Sequence, residues 1–361
     1  MNLNIAVLPG DGDGPMVIEQ AVACLQAVEE IFGHSFLFKE GTLGTNVSAS
    51  KETLLADSTL QLCKDCDAIL FGGVDTERIG VLFELRRKLG LFAHIRPIKT
   101  YTELIGKSPL KKSVIEHTDF IIYRELSGGL YTYKGKLTEG GTVASDICEY
   151  SEKTINRIAH KAFKAARQRK NKLTLVDKAN VLESSKLWQK VVAKVGESYP
   201  KVDLEFLLAD KAAMRMMLDP NQFDIILTES MFGDILADEA NAIIGVTGIL
   251  PSASLGTRYA MFQAVSSSTS EANEHHGTNP IGAILATAML LEHFQLFEEA
   301  MSVRAAVALA VSKGVVTRDL NENSRYETNH VGEFIANAIV DNDDRLSMND
   351  ENIDLGKSTI I

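Results

Sequence analysis

Asn4-Ile5-Ala6-Val7-Leu8-Pro9-Gly10-Asp11-Gly12-Asp13-Gly14-Pro15 decides the fold class: a short apolar run feeds a glycine-rich turn that opens a helix. A run of this kind bounded by turn residues reads as a buried strand. The glycines allow the backbone to approach a ligand closely, and a plain tight strand-to-helix turn explains them equally well. The dinucleotide fingerprint is missing. It requires glycine at the sixth position counted from Gly10 or Gly12, and the chain has Pro15 or Val17 there, so a Rossmann fold is not supported.

Outward from this stretch, similar runs recur at 68–71, 120–123, 173–176, 204–208 and 223–227, each followed by polar or Gly-rich residues. Between them lie helix-period segments. Ile155, Ile158, Ala159, Ala162, Phe163 and Ala166 form one buried stripe. Strands alternating with helices predict an α/β sheet with covered faces. At roughly 150 residues per domain, 361 residues suggest two domains.

Composition excludes several classes. With 37 Lys+Arg against 48 Asp+Glu the net charge is −11, which argues against a general phosphate-backbone binder and hence against nucleic acid. No stretch approaches the ~18 to 20 apolar residues of a membrane span. Met1 to Asn4 leads into the first strand without a basic leader, so the expected location is the cytoplasm, away from membranes. Of the 4 cysteines only Cys63 and Cys66 are spaced like a metal or redox pair. Lacking a second such pair or histidines at zinc spacing, they read as surface or core thiols.

Two segments break the α/β rhythm. From Ser127 to Ser145, Gly128, Gly129, Gly135, Gly140 and Gly141 lie among Tyr and Thr, which suggests an extended hairpin or arm, at about 126–149, or else a plain surface loop. Residues 341–361 carry six acids against Arg345 and Lys357 with no apolar period, and are expected to form a mobile acidic tail. Inside it Gly356-Lys357-Ser358-Thr359 superficially resembles a nucleotide P-loop. It fails the motif, which needs glycine where Glu351 stands and a strand before it.

Asp234 and Asp238 are four residues apart, placing both carboxylates on one helical face, where like charges repel. A divalent cation with hard oxygen ligands would compensate; two solvated surface acids are the plainer explanation. Asp210, at a strand end, is a third candidate carboxylate. Arg86 and Arg96 lie within a short span and Arg124 follows an apolar strand. Converging, their guanidinium forks would suit a di- or tricarboxylate; singly, each reads as an ordinary ion-pair residue. Lys178 directly follows a buried-looking strand and could act as a general base near a metal and arginines. Tyr131, at the start of the Gly-rich segment, could donate a proton. Both also have structural explanations.

Together these residues resemble the metal-dependent β-decarboxylating dehydrogenases, the isocitrate/isopropylmalate dehydrogenase family, from Ile5 to about Ala338. The resemblance rests on Leu8-Pro9-Gly10-Asp11-Gly12, Leu91-Phe92-Ala93-His94-Ile95-Arg96-Pro97, Arg124-Glu125-Leu126-Ser127-Gly128-Gly129-Leu130-Tyr131, Asp177-Lys178-Ala179-Asn180-Val181, Phe232-Gly233-Asp234-Ile235-Leu236-Ala237-Asp238 and Leu250-Pro251-Ser252-Ala253-Ser254. Within the family the chain looks most like the 3-isopropylmalate branch, because Leu82 and Val181 fall where that branch lines an apolar substrate pocket. The resemblance implies a two-domain, non-Rossmann α/β fold with a mixed sheet spanning both domains. Residues 1–91 and 245–340 would form the cofactor side, and 92–244 the dimerisation and metal side.

Carried over by motif, Arg86, Arg96 and Arg124 would hold the malate carboxylates. Asp210, Asp234 and Asp238 would ligate Mg²⁺ or Mn²⁺, with Asp210 also facing substrate. Lys178 and Tyr131 would be the acid/base pair. The implied activity is oxidative decarboxylation of a 3-substituted malate, 3-isopropylmalate first, with hydride passed to NAD⁺, a step of leucine biosynthesis. Lys178 and Asp210 would reach the partner's site, which implies a homodimer with shared active sites and the Gly-rich arm as a clasp.

The chain departs from the pattern in three places. Asp13 and Met16 alter the first loop, and Ile79 and Phe83 make the wall beside Leu82 more apolar. The segment 263–276 replaces the family's usual adenosine loop with a serine-rich run. There Ser267, Glu271 and the retained Asn279 are the candidate NAD contacts; Glu271 would accept from the ribose hydroxyls and disfavour a 2′-phosphate. Loss of a rigid proline predicts weak NAD⁺ binding. These departures leave two further readings: a paralogue acting on another 3-alkylmalate, tartrate or an isocitrate-like acid, and a weakly catalytic regulatory homologue.

Overall fold

The computed structural model describes residues 1–43, 55–133, 135–138, 140–246, 248–265 and 278–341. The expected acidic tail and the candidates Ser267 and Glu271 lie outside them. In chain order the strands are β1 (Asn2–Leu8), β2 (Ser35–Glu40), β3 (Ala68–Phe71), β4 (Ala93–Lys99), β5 (Asp119–Glu125), β6 (Lys136–Leu137), β7 (Ala144–Ser145), β8 (Lys172–Asp177), β9 (Asp203–Leu208), β10 (Ile225–Thr228), β11 (Pro251–Leu255) and β12 (Ala260–Ala264). The helices are α1 (Gly14–Phe32), α2 (Asp57–Lys64), α3 (Ile79–Lys88), α4 (Lys112–Ile115), α5 (Glu152–Gln168), α6 (Glu183–Gly196), α7 (Ala209–Leu218), α8 (Ser230–Ile244), α9 (Ile281–His293), α10 (Phe297–Ser312) and α11 (Thr328–Val340). The class is mixed α/β, and no helix among the described residues is long and apolar enough to cross a membrane.

The described residues form two compact units. The first comprises 1–90, 101–107 and 246 onward; the second comprises 91–100 and 108–245. Sequence reading places 101–107 with the middle of the chain, whereas this short segment, which includes buried Leu104 and Ile105, clusters with the first unit.

In the first unit the strand order is β2-β1-β3-β12-β11, with β1 parallel to β2 and β3, and β11 antiparallel to β12. α1, α9, α10 and α11 pack on one another, and α9 lies on β11 and β12. Every residue from Ile281 to Glu292 is buried. Glu292 is tolerated there because Arg304 meets it at 2.8 Å, so the buried charge is paired. Cys24 and Cys63 lie in this unit's interior, where burial raises both thiols, that of Cys63 to about 12. All four cysteines are free, and Cys63 and Cys66 are core residues.

The turn after β1 is held by backbone. Gly10 has φ +81°, and a Cβ there would sit 1.9 Å from the Gly73 carbonyl oxygen. The next amide, Asp11 N–H, donates to that same carbonyl at 3.2 Å, and Arg78 clamps the Asp11 carboxylate. Gly10→Ala therefore combines a left-handed backbone cost with a forced backbone separation. A loss of about 3 kcal/mol is expected, measured as a thermal midpoint several degrees lower. An unchanged midpoint would show that the turn yields freely.

In the second unit the order is β4-β5-β10-β8-β9, parallel except for β4 against β5. The helical stripe read from sequence is the buried face of α5, joined by Ala165. Ser151 caps it with a capping box through Thr154. The Gly-rich segment contains a small antiparallel ribbon, β6 with β7, whose strand residues are all exposed.

Candidate active site

Register brings the chemistry of the second unit to one end of its parallel strands. Arg124 on β5 and Val176 on β8 both lie abreast of Thr228 on β10, and Asp177 pairs with Leu208 on β9. Arg124, Lys178, Asp210 and Glu229 thus all occur at or just beyond strand carboxyl ends, where open α/β sheets carry their ligands.

The principal cluster joins β4, β5 and α8. Arg124 is buried and pairs with Asp234, while Arg96 Nη1 donates to Asp238 Oδ1 at 2.9 Å. The two aspartates are one turn apart on α8 and both face the arginines, so guanidinium charge offsets their repulsion. α8 approaches β5 closely because position 233 is glycine: a Cβ there would lie 2.8 Å from Arg124 Cγ and 2.9 Å from Thr228 Cγ2. Burial pulls the Arg96 pKa down, Asp238 opposes that, and Arg124 adds to it. The buried Nε atoms of Arg96 and Arg124 have no hydrogen-bond partner. A site with unspent buried donors on two cations suits an anion of carboxylate geometry.

Tyr131 completes this cluster. The Arg124 guanidinium lies 5.5 Å from its ring centroid, a cation–π distance. Partial burial and then the Asp234 charge raise its hydroxyl pKa, with Arg124 working the other way. It is therefore protonated at neutral pH and able to donate.

Lys178 and Asp210 form a separate ion pair. The hydrogen bond from Lys178 is the main reason the Asp210 carboxyl stays below its usual range. Asp177, just before the lysine, is buried and accepts from Ala179 N–H and Gln189 Nε2, both at 2.8 Å, which fixes the turn that carries Lys178. Val181 is largely exposed nearby in sequence.

The structure thus brings together Arg96, Arg124, Tyr131, Asp234 and Asp238, and leaves Lys178 with Asp210. Among the described residues no three His, Cys, Asp or Glu side chains are grouped to hold a metal ion. Asp234 and Asp238 supply hard oxygen donors of the right chemistry for Mg²⁺ or Mn²⁺, but one chain offers only these two in one place.

The remaining candidates belong to the first unit. Leu82 and Arg86 are buried on α3, while Ile79 and Phe83 are 41% and 44% exposed one turn apart. Asn279 is buried: its Nδ2 donates to Asp319 at 2.9 Å and its Oδ1 accepts from Ile281 N–H at 3.0 Å, so it anchors the start of α9. At the end of β12, Gln263 Oε1 is buried without a partner, an unspent acceptor that fits a polar ligand such as a nucleotide.

Sequence reasoning missed Glu125, Arg157, Tyr150 and Glu229. Glu229 caps α8 and is 5% exposed; burial raises its carboxyl. The available signal was position, since an acid directly after a buried strand must find partners.

The mixed α/β fold of the second unit thus carries two arginine–aspartate pairs at the end of its sheet, chemistry suited to an anionic small molecule. The chain belongs to the isocitrate/isopropylmalate dehydrogenase family, whose model matches residues 4–335. It is 42% identical over 357 residues to the 3-isopropylmalate dehydrogenase of Bacillus subtilis (strain 168), covering 94% of this chain and 98% of that one. It is 40% identical over 330 residues to the enzyme of that name from Aquifex aeolicus (strain VF5), covering 88% and 91%. Among solved structures, isocitrate dehydrogenase from Methylococcus capsulatus superposes with TM-score 0.83 at 29% identity, covering 93% and 99%. The TT0538 protein from Thermus thermophilus gives TM-score 0.83 at 24% identity, covering 93% and 68%, and shows likeness of fold alone.

Proposed function

We propose that this protein oxidises and decarboxylates 3-isopropylmalate with hydride transfer to NAD⁺, the corresponding step of leucine biosynthesis, in the cytoplasm. The carrying observation is the pairing of Arg96 with Asp238 and Arg124 with Asp234 beneath Tyr131. In the free protein the aspartates hold the arginines' charge; an arriving dicarboxylate takes over the guanidinium forks and releases the aspartates. Arg86 would hold the ligand with them, and Leu82 and Val181 would face its alkyl group.

Asp210, Asp234 and Asp238 would hold a Mg²⁺ or Mn²⁺, which would supply Lewis acidity for the substrate hydroxyl, and Asn279 with Ser267 and Glu271 would hold the NAD⁺ that would serve as hydride acceptor. Lys178 takes the proton that the 2-hydroxyl loses. It can do so only as the neutral amine, so the ammonium now paired with Asp210 must first leave that carboxylate and give one proton to solvent. Tyr131 protonates the carbon that loses CO₂, and its raised pKa keeps that proton available.

That Asp210 is not grouped with Asp234 and Asp238 within one chain supports sites shared between two copies. So do the exposed Met214, Met217 and Leu218 of α7 and Ile235 of α8, apolar residues that a second copy would cover.

NADH formation across a panel of 3-substituted malates, with and without EDTA, tests the reading. 3-Isopropylmalate should be the preferred substrate, EDTA should abolish turnover, and Mg²⁺ or Mn²⁺ should restore it. Turnover on isocitrate or tartrate alone would reject the substrate, and EDTA-insensitive turnover would reject the metal. Preference for a larger alkyl group is the second reading, favoured by the exposed Ile79 and Phe83 beside Leu82 on α3.

A further inference from the structure

We infer that Glu125, with Arg157, is the positioning pair that sets Tyr131 against Arg124. This rests on Tyr131 being the proton donor proposed above.

Glu125 ends β5 and is completely buried. A carboxylate with no access to water must find donors within the protein. It finds them in the turn that follows: Ser127 N–H donates to Oε2 at 2.8 Å, Gly128 N–H donates to the same oxygen at 2.7 Å, and Ser127 Oγ donates to Oε1. Arg157 of α5 closes the arrangement, reaching Oε1 at 3.4 Å and the Ser127 hydroxyl. The Arg157 guanidinium stacks on Phe92 at 4.1 Å from its ring centroid, and Leu126 N–H donates to the Phe92 carbonyl at 2.8 Å.

The far side of the turn is shaped to receive a ring. Gly129 has φ +82°, and a Cβ on it would meet Tyr150 Oη at 2.1 Å; one on Gly128 would meet Tyr150 Cδ1 at 2.7 Å. Tyr150 Oη in turn accepts from Ser230 N–H at 2.9 Å, the first residue of α8. The chain from Arg124 to Tyr131 is therefore gripped by the Glu125 carboxylate on one side and by Tyr150 on the other. The turn has no regular secondary structure of its own to hold it. Arg124 does not depend on it, because the β4 and β10 ladders on either side fix β5. Loss of the carboxylate would free Tyr131 while leaving the anion-binding arginine in place.

Glu125→Gln, Ser127→Ala, Tyr131→Phe and the Glu125→Gln/Tyr131→Phe double variant test this in the full-length protein. Amide hydrogen exchange of the unliganded protein gives a readout independent of catalysis. Glu125→Gln should speed exchange at Ser127 and Gly128 by about tenfold or more while β5 keeps its protection. In steady state its kcat should fall about tenfold, with KM for 3-isopropylmalate within about threefold. The double variant should be no slower than Tyr131→Phe alone, since both changes act through one group. Ser127→Ala, which deletes only the hydroxyl contacts, should show the same pattern at lower amplitude and decides the matter if Glu125→Gln does not fold. Unchanged exchange at 127 and 128, or additive losses in the double variant, would overturn the inference. Full turnover by Tyr131→Phe would instead remove Tyr131 as the acid, and the exchange result would still decide whether Glu125 holds the turn.

Discussion

Lys178→Met protein is expected to lose at least about 10³-fold in kcat and to recover activity on mixing with the likewise slowed Tyr131→Phe protein. Lys178 is paired with Asp210, and Asp210 is not grouped with Asp234 and Asp238 among the described residues. If each site takes Lys178 from one copy and Tyr131 from the other, a mixed dimer holds one doubly damaged site and one intact site. Random reassortment then restores about a quarter of wild-type turnover. Substrate affinity of the Lys178→Met protein should change little, because the arginines proposed to hold the carboxylates are untouched. The measurement is NADH formation before and after co-refolding of the two variants. A mixture no more active than its components would mean that each chain builds its site alone.

Arg124→Met should lower kcat/KM for 3-isopropylmalate by two to four decades, equivalent to about 3–5 kcal/mol, the cost of removing one member of a buried charged contact. Lysine is a poor substitute, since a point charge cannot form the fork and sits differently on the Tyr131 ring. Stability should move far less. Asp234 is 40% exposed in its side chain and water can hydrate it once the arginine is gone, so the pair itself contributes at most about 1 kcal/mol to folding. The methionine stem keeps contact with Gly233 and Thr228. Kinetics and a thermal melt on one preparation separate the two effects. Retention of more than a tenth of kcat/KM would remove Arg124 from substrate binding.

The α5 stripe and the spacing of Asp234 and Asp238 were legible because they depend only on local helical period, and the helices realise both. What compensates the aspartate pair was not. Sequence reading offers a cation, whereas within one chain the compensation is Arg124 and Arg96, partners 110 and 142 positions away in sequence. Four strands also escaped notice. β4 contains Arg96 and Pro97, β11 reads Pro251-Ser252-Ala253-Ser254-Leu255, β12 includes Gln263, and β2 is a partly exposed edge. Each lacks the β-branched run that marks a central strand and is made a strand by its neighbours. Glu125 illustrates the same limit at the site, since its role comes from a turn and a helix residue 32 positions on.

The interrupted first unit bears on how the protein is made. Its strands β1, β2 and β3 leave the ribosome early together with α1, yet β12 and β11, which extend the sheet, and α9 to α11, which pack with α1, are translated only after residue 246. The second unit, nearly continuous from 108 to 245, is completed first and can fold while its neighbour still waits. During that interval β3 lacks its sheet neighbour β12 and the buried face of α1 lacks α9 and α11. A product truncated before residue 246 would therefore expose apolar surface that the later segments bury, an aggregation hazard confined to the amino-terminal part of the first unit.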